Sequence, residues 1–193
     1  IIGLVAALIY LPSAFVCAQP SAPDLLFAGS PVIDLAKVDD IGAYVVSSDA
    51  ATSATADRLY RINLRTGEPT MIGPLGPVGG VFEDVEGLAL DSSGKLFGVD
   101  DDTKTLLSIS ATSGLATAVN VQGNTRLTTG LNPQDLSIEF SCTGQLYAAA
   151  LNSKTLYRVN TNTGLFEAVA ASGTLVGGIT DLAVANGQMY GLG

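Results

Sequence analysis

Apolar and polar residues alternate along most of this chain, and the alternation returns at near-constant intervals. In Leu59-Tyr-Arg-Ile-Asn-Leu64, Tyr60, Ile62 and Leu64 oppose Leu59, Arg61 and Asn63, the two-residue period of a strand. The segment Arg58–Gly67 returns as Thr105–Gly114 and again as Thr155–Gly164, with the glycines 47 and 50 residues apart. A second motif, Glu86-Gly-Leu-Ala-Leu-Asp91 followed by Gly94-Lys-Leu-Phe-Gly-Val99, recurs in shorter form. Its copies are Asp135-Leu-Ser-Ile138 with Gly144-Gln-Leu-Tyr147, and Asp181-Leu-Ala-Val184 with Gly187-Gln-Met-Tyr190. Gly42-Ala-Tyr-Val-Val46 reads as a degenerate earlier copy. Ser92-Ser-Gly94, Cys142-Thr-Gly144 and Asn186-Gly187 join the paired strands, glycine supplying the positive φ that hairpin turns need.

Each unit therefore predicts four short antiparallel strands, and no helical periodicity appears between Gln19 and Gly193. Four strands per about 45–50 residues is the pattern of a β-propeller blade. The fold class predicted is all-β, a β-propeller fragment of which about three and a half blades are visible. The blades fall at about 31–76, 86–121, 134–171 and 180–193, the last stopping after two strands. A ring of six to eight blades at about 48 residues each needs roughly 290–390 residues, so the repeat implies further blades beyond Gly193. A closed four-bladed ring, completed by Leu25-Leu26-Phe27, is the alternative.

The run EGLALD-SSGKLFGVD-DDTKTLLSIS-ATSGLATAV resembles secreted bacterial β-propellers of the NHL and YVTN-like group, over about residues 30 to 193. The resemblance implies that the EGLALD-like strand of each blade lies innermost, at the central tunnel. It implies architecture rather than activity, because blade consensus residues serve packing and turns.

The front of the chain has a different character. Ile1 to Leu11 is an unbroken apolar run, followed by Pro12, Ser13 and then Val16-Cys17-Ala18. This reads as a signal peptide over 1–18 cleaved after Ala18, with a linker over 19–30. The run is short of the ~20 apolar residues of a membrane span, so no stable membrane insertion is expected after cleavage. Export, to a periplasmic or extracellular location, follows. Cleavage there would remove Cys17 and leave Cys142 as a free thiol.

Charge and composition narrow the chemistry. The chain of 193 residues holds 18 Asp+Glu against 9 Lys+Arg and no His. An acidic chain lacks the basic footprint of a nucleic-acid binder. Without His there is no His-based triad, and two Cys cannot make a four-thiolate zinc site. Acidic residues do gather at the ends of the predicted inner strands: Glu83, Asp84 and Glu86, then Asp135, then Asp181, with Asp100, Asp101 and Asp102 as a separate set. Glu86, Asp135 and Asp181 are the candidate metal ligands, since oxygen-only ligation suits calcium or magnesium. No D-x-[DN]-x-[DN]-G calcium loop is present, so no cofactor is expected, calcium or magnesium being the ion the acidic set could take. Glu86-Gly87 also looks like the acidic-Gly start of the metal-ligand strand in gluconolactonase-type propellers; Gln134-Asp135 and Thr180-Asp181 match it only in part. The leading expectation is a non-catalytic scaffold binding a protein, a glycan or a small ligand. The alternative is a metal-dependent hydrolase, lactonase-like or phosphoesterase-like, with its carboxylates at the tunnel.

Overall fold

The computed structural model describes residues 3–10, 42–48, 57–76, 82, 84–119, 135–169, 175 and 177–193. They form fourteen strands and no helix: β1 (Gly3–Tyr10), β2 (Gly42–Ser48), β3 (Arg58–Asn63), β4 (Pro69–Pro74), β5 (Val85–Leu90), β6 (Leu96–Asp100), β7 (Thr105–Ile109), β8 (Ala116–Ala118), β9 (Leu136–Phe140), β10 (Leu146–Ala150), β11 (Thr155–Val159), β12 (Phe166–Ala168), β13 (Asp181–Ala185) and β14 (Gln188–Leu192). Three four-stranded sheets, β1–β4, β5–β8 and β9–β12, are antiparallel meanders, and β13–β14 forms a two-stranded fourth. This is the blade arrangement of a β-propeller, and we number the sheets blades 1 to 4. No helix among the described residues is long and apolar enough to cross a membrane.

Blades 2 and 3 follow the repeat closely, and their turns show why. Asp91 Oδ1 accepts the N–H groups of Ser93 and Lys95, both at 2.9 Å, and the Ser93 hydroxyl at 2.6 Å. Asn160 Oδ1 accepts from Asn162 and Thr163, as Asn63 Oδ1 does from Arg65 and Thr66. Short polar side chains at these corners satisfy backbone donors that the ladder leaves open. Blade 1 is assembled differently. Its innermost strand is Gly3–Tyr10, the segment that reads as a leader, paired antiparallel with β2 from Gly3↔Ser48 to Tyr10↔Gly42. Leu25-Leu26-Phe27 lies outside the described residues.

The alternating side chains fill the seams between blades. Between blades 1 and 2, Val46, Leu59 and Leu75 pack with Val85, Leu88, Leu96, Leu107 and Ile109. Between blades 2 and 3, Ala89, Phe97, Val99 and Leu106 meet Leu136, Ile138, Ala148 and Tyr157, with Phe97 edge-on to Phe140 at 5.7 Å between centroids. Backbone also meets backbone at the outer rim. The Ala116 N–H donates to the Leu75 carbonyl at 2.8 Å. Gly114, at φ +80°, lies so close to Gly73 that a Cβ there would sit 2.6 Å from the Gly73 oxygen. Gly164 approaches the Val119 carbonyl in the same way.

Cys142 is disulfide-bonded rather than a free thiol. The chain's other cysteine, Cys17, lies outside the described residues.

Candidate functional site

Within each blade the inner strand and its neighbour run antiparallel, so the start of one stands beside the end of the other. Val85 opposes Asp100 in the β5–β6 ladder. That pairing brings the acids before and within β5 to the acids that follow β6. Carboxylate oxygens of Asp84, Glu86 and Asp101 lie within 4.8 Å of one another. The two acidic sets that the sequence presents separately are thus one cluster.

A β-bulge helps to place Glu86. The ladder register shifts between Val85 and Gly87, making Glu86 the extra residue. Bulges re-aim a side chain while the strand continues. Here the Glu86 carboxylate turns toward blade 3, where Oε2 accepts the Leu136 N–H at 3.0 Å. Asp101 reaches the same neighbour, Oδ2 accepting from the Asp135 N–H at 3.4 Å, while its Oδ1 pairs with Lys104 at 2.9 Å. Blade 1 sends a carboxylate forward too: Asp57, 1% exposed, accepts the Val85 N–H at 2.8 Å. The first N–H of an inner strand is thus received by a carboxylate of the preceding blade at both junctions. Asp100, fully buried, holds the cluster's own loop by accepting from the Asp84 and Thr103 N–H groups at 3.2 and 2.8 Å.

The electrostatics of the cluster are unfavourable to its own ionisation. Burial, then the charges of Asp101, Asp84 and Asp135, push the Glu86 carboxyl from 4.5 to about 7, against the opposing Leu136 N–H. Burial and the neighbouring Asp101, Asp102 and Asp100 also raise Asp84, with Lys104 acting the other way. Chemically, the cluster offers hard oxygen ligands to a calcium or magnesium ion and one carboxyl able to exchange a proton near neutrality.

Of the three residues singled out by sequence, only Glu86 is among the carboxylates within 4.8 Å of one another, in the described residues. Asp135, at a positive φ of 55° immediately before β9, reaches the cluster through its backbone, its N–H donating to Asp101 Oδ2 while the next N–H, that of Leu136, donates to Glu86. Asp181 is elsewhere. It pairs with Leu192, two residues beyond Tyr190, as Ser137 pairs with Ala149, two beyond Tyr147. Its counterpart in blade 3 is therefore Ser137, and the expected equivalence of Asp135 and Asp181 does not hold. Asp181 acts instead on Glu139 of β9, whose carboxyl burial and then Asp181 raise to about 7, the Phe140 N–H opposing. Asp84 and Asp101 belong to the cluster, a link available from the hairpin pairing alone. Glu83 and the loop over 122–133 lie outside the described residues.

No family model matches the chain, and no curated protein does. Solved structures match it well. A Bacteroides thetaiotaomicron protein of unknown function is 18% identical, with a TM-score of 0.56 over 78% of this chain and 39% of its own. A chain of a nidogen/laminin complex is 20% identical at a TM-score of 0.50, over 75% and 48%. Virginiamycin B lyase from Staphylococcus aureus is 14% identical at 0.50, over 79% and 45%. The chain spans between 39% and 48% of the length of these structures. What it has in common with them is the fold, a β-propeller of antiparallel blades.

Proposed function

We propose that this protein is an exported β-propeller acting as a non-catalytic binding scaffold, its tunnel mouth braced by a divalent cation held by Asp84, Glu86 and Asp101. The observation that carries the reading is the convergence of these three carboxylates within 4.8 Å, at the junction where blade 2 grips blade 3. A calcium or magnesium ion would offset the burial and the repulsion that together raise Glu86 and would tie the β6–β7 loop to β5. Asp135 stands at the rim of the same cluster. The loops above it would present a surface to a protein, a glycan or a small ligand. Export is supported by the disulfide at Cys142, since disulfides persist in oxidising compartments.

Titration with calcium and with magnesium, read by melting temperature, tests the cation. Bound ion should raise the midpoint of the wild-type protein and leave D101N unmoved. No shift in either up to millimolar ion would sink the proposal.

One observation favours a second reading, a metal-dependent hydrolase. Glu86 combines a pKa of about 7 with a place among metal-competent carboxylates, a combination suited to general acid–base work. Hydrolysis of model lactones or phosphoesters that is abolished by chelation and by E86Q would favour this reading over the scaffold.

A further inference from the structure

The carboxylate cluster of blade 2 has a cation of its own. β6 runs into a short loop that ends at Lys104, just before β7, and the Lys104 backbone takes a positive φ of 55°. Its ammonium donates to Asp101 Oδ1 at 2.9 Å, and the two side chains are 13% and 8% exposed. Asp101 Oδ2 accepts the Asp135 N–H, so both oxygens of this carboxylate are engaged. Among the described residues, Lys104 is the one basic group acting on Asp84, and no basic group acts on Glu86.

Blade 3 shows which part of this arrangement belongs to the repeat. Asp100 pairs with Thr105 across β6 and β7, as Ala150 pairs with Thr155 across β10 and β11. Counted from those pairs, Lys154 matches Lys104, and it has the same left-handed backbone at φ 49°. Leu151 then stands where blade 2 has Asp101, and Asn152 where it has Asp102. The lysine and its turn recur, but of the two lysines only Lys104 has a carboxylate of its own loop beside it.

One ammonium is a poor match for three carboxylates. Asp84, Glu86 and Asp101 converge within 4.8 Å, and of the three only Asp101 pairs with Lys104. A lysine ammonium is a single point charge on a flexible stem. A divalent ion carries twice that charge and coordinates several oxygens at once, at about 2.3–2.6 Å for calcium. Ion and ammonium repel each other and need the same oxygen. We propose that Lys104 and the divalent ion compete for Asp101: the ion displaces the lysine ammonium, and the lysine sets how tightly the ion is held. Such competition rests on the reading of Asp84, Glu86 and Asp101 as a cation site, and it adds a coupling to it. Each ion bound releases one primary amine at the β6–β7 loop, available to an anionic group of a ligand.

Calorimetric titration of the full chain with calcium tests it, using K104M, which keeps most of the side chain's length and loses its charge. K104M should bind calcium about tenfold or more tightly than the wild type, because a unit charge close to the ion is gone. K154M, altered at the matching turn without the carboxylate, should bind as the wild type does. The wild type also supplies a readout that needs no substitution: saturating calcium should raise the acetylation rate of the Lys104 amine severalfold relative to Lys154, measured by peptide mass mapping. If K104M does not fold, this second readout decides. Equal calcium affinity in the wild type and K104M, or a Lys104 acetylation rate that calcium leaves unmoved, overturns the competition and leaves the cation reading standing. Weaker binding by folded K104M overturns it as well, since Lys104 would then be holding Asp101 in place for the ion. An absence of calcium binding in both proteins overturns the competition and the cation reading together.

Discussion

Replacing Glu86 with Gln should make the ion-free protein more stable at pH 8, although Glu86 makes a hydrogen bond across a blade junction. The reasoning starts from the carboxyl's pKa, raised from 4.5 to about 7 by burial first and then by Asp101, Asp84 and Asp135. Because the folded value exceeds the unfolded one, the folded state binds the extra proton between pH 4.5 and 7. The stability linked to that proton is full below 4.5 and is lost as pH rises through about 7. At ~1.4 kcal/mol per pH unit, the rise sets a ceiling near ~3.5 kcal/mol. Solvent screening of a side chain only half-buried cuts this to about 1–2 kcal/mol. Gln keeps an acceptor for the Leu136 N–H and mimics the neutral acid at every pH. E86Q should therefore match the wild type near pH 5 and exceed it by about 1–2 kcal/mol at pH 8. For a chain of this size that is a melting point about 3–6 °C higher. Circular-dichroism melts in chelator across this range measure it, and Glu139, which titrates in the same window, cancels in the comparison. A penalty for E86Q that is as large at pH 8 as at pH 5 would refute the reasoning. It would mean that the ionised form is the one the fold prefers.

Other outcomes follow from the same contacts. D57A strips the buried acceptor from the Val85 N–H, and urea unfolding should show a loss of about 1–3 kcal/mol. G114A must place a Cβ against the Gly73 carbonyl at a positive φ, and a cost of about 1–3 kcal/mol in the same assay is expected. Cys142 should resist alkylation until reductant is added. With Cys17 as its partner the closed loop exceeds 100 residues, and C142S should lose about 4–5 kcal/mol. N-terminal sequencing bears on the same pairing: a secreted monomer that begins at Gln19 with Cys142 protected would exclude it.

The blades themselves are readable because their motifs combine strand alternation with glycine turns at fixed offsets. Leu59–Leu64 and its two later copies give β3, β7 and β11 almost residue for residue. The inner strand of blade 1 escapes that reading. Gly3–Tyr10 is separated from β2 by more than thirty residues, and an apolar inner strand has the same composition as the apolar core of a leader. Asp135 and Asp181 mislead for a geometric reason. Five residues separate β5 from β6 and β9 from β10, but only two separate β13 from β14, so counting from the motif start displaces the register that counting from the tyrosine keeps. The joining of Asp84 and Glu86 to Asp101 follows from antiparallel pairing once the hairpin is drawn.

The two turns of a blade look alike in sequence but differ in what surrounds them. A Cβ on Gly94 would meet nothing within 4 Å, whereas one on Gly114 would strike the neighbouring blade. The rim turn is thus a mortise cut to a fixed depth, and the turn at Ser92–Gly94 is an open socket. Peptides grafted into the socket can vary in length without disturbing blade pitch. At Thr112–Gly114 even one inserted residue would have to wedge two blades apart. Diversification of this repeat by loop growth is therefore open at Ser92–Gly94 and closed at the rim.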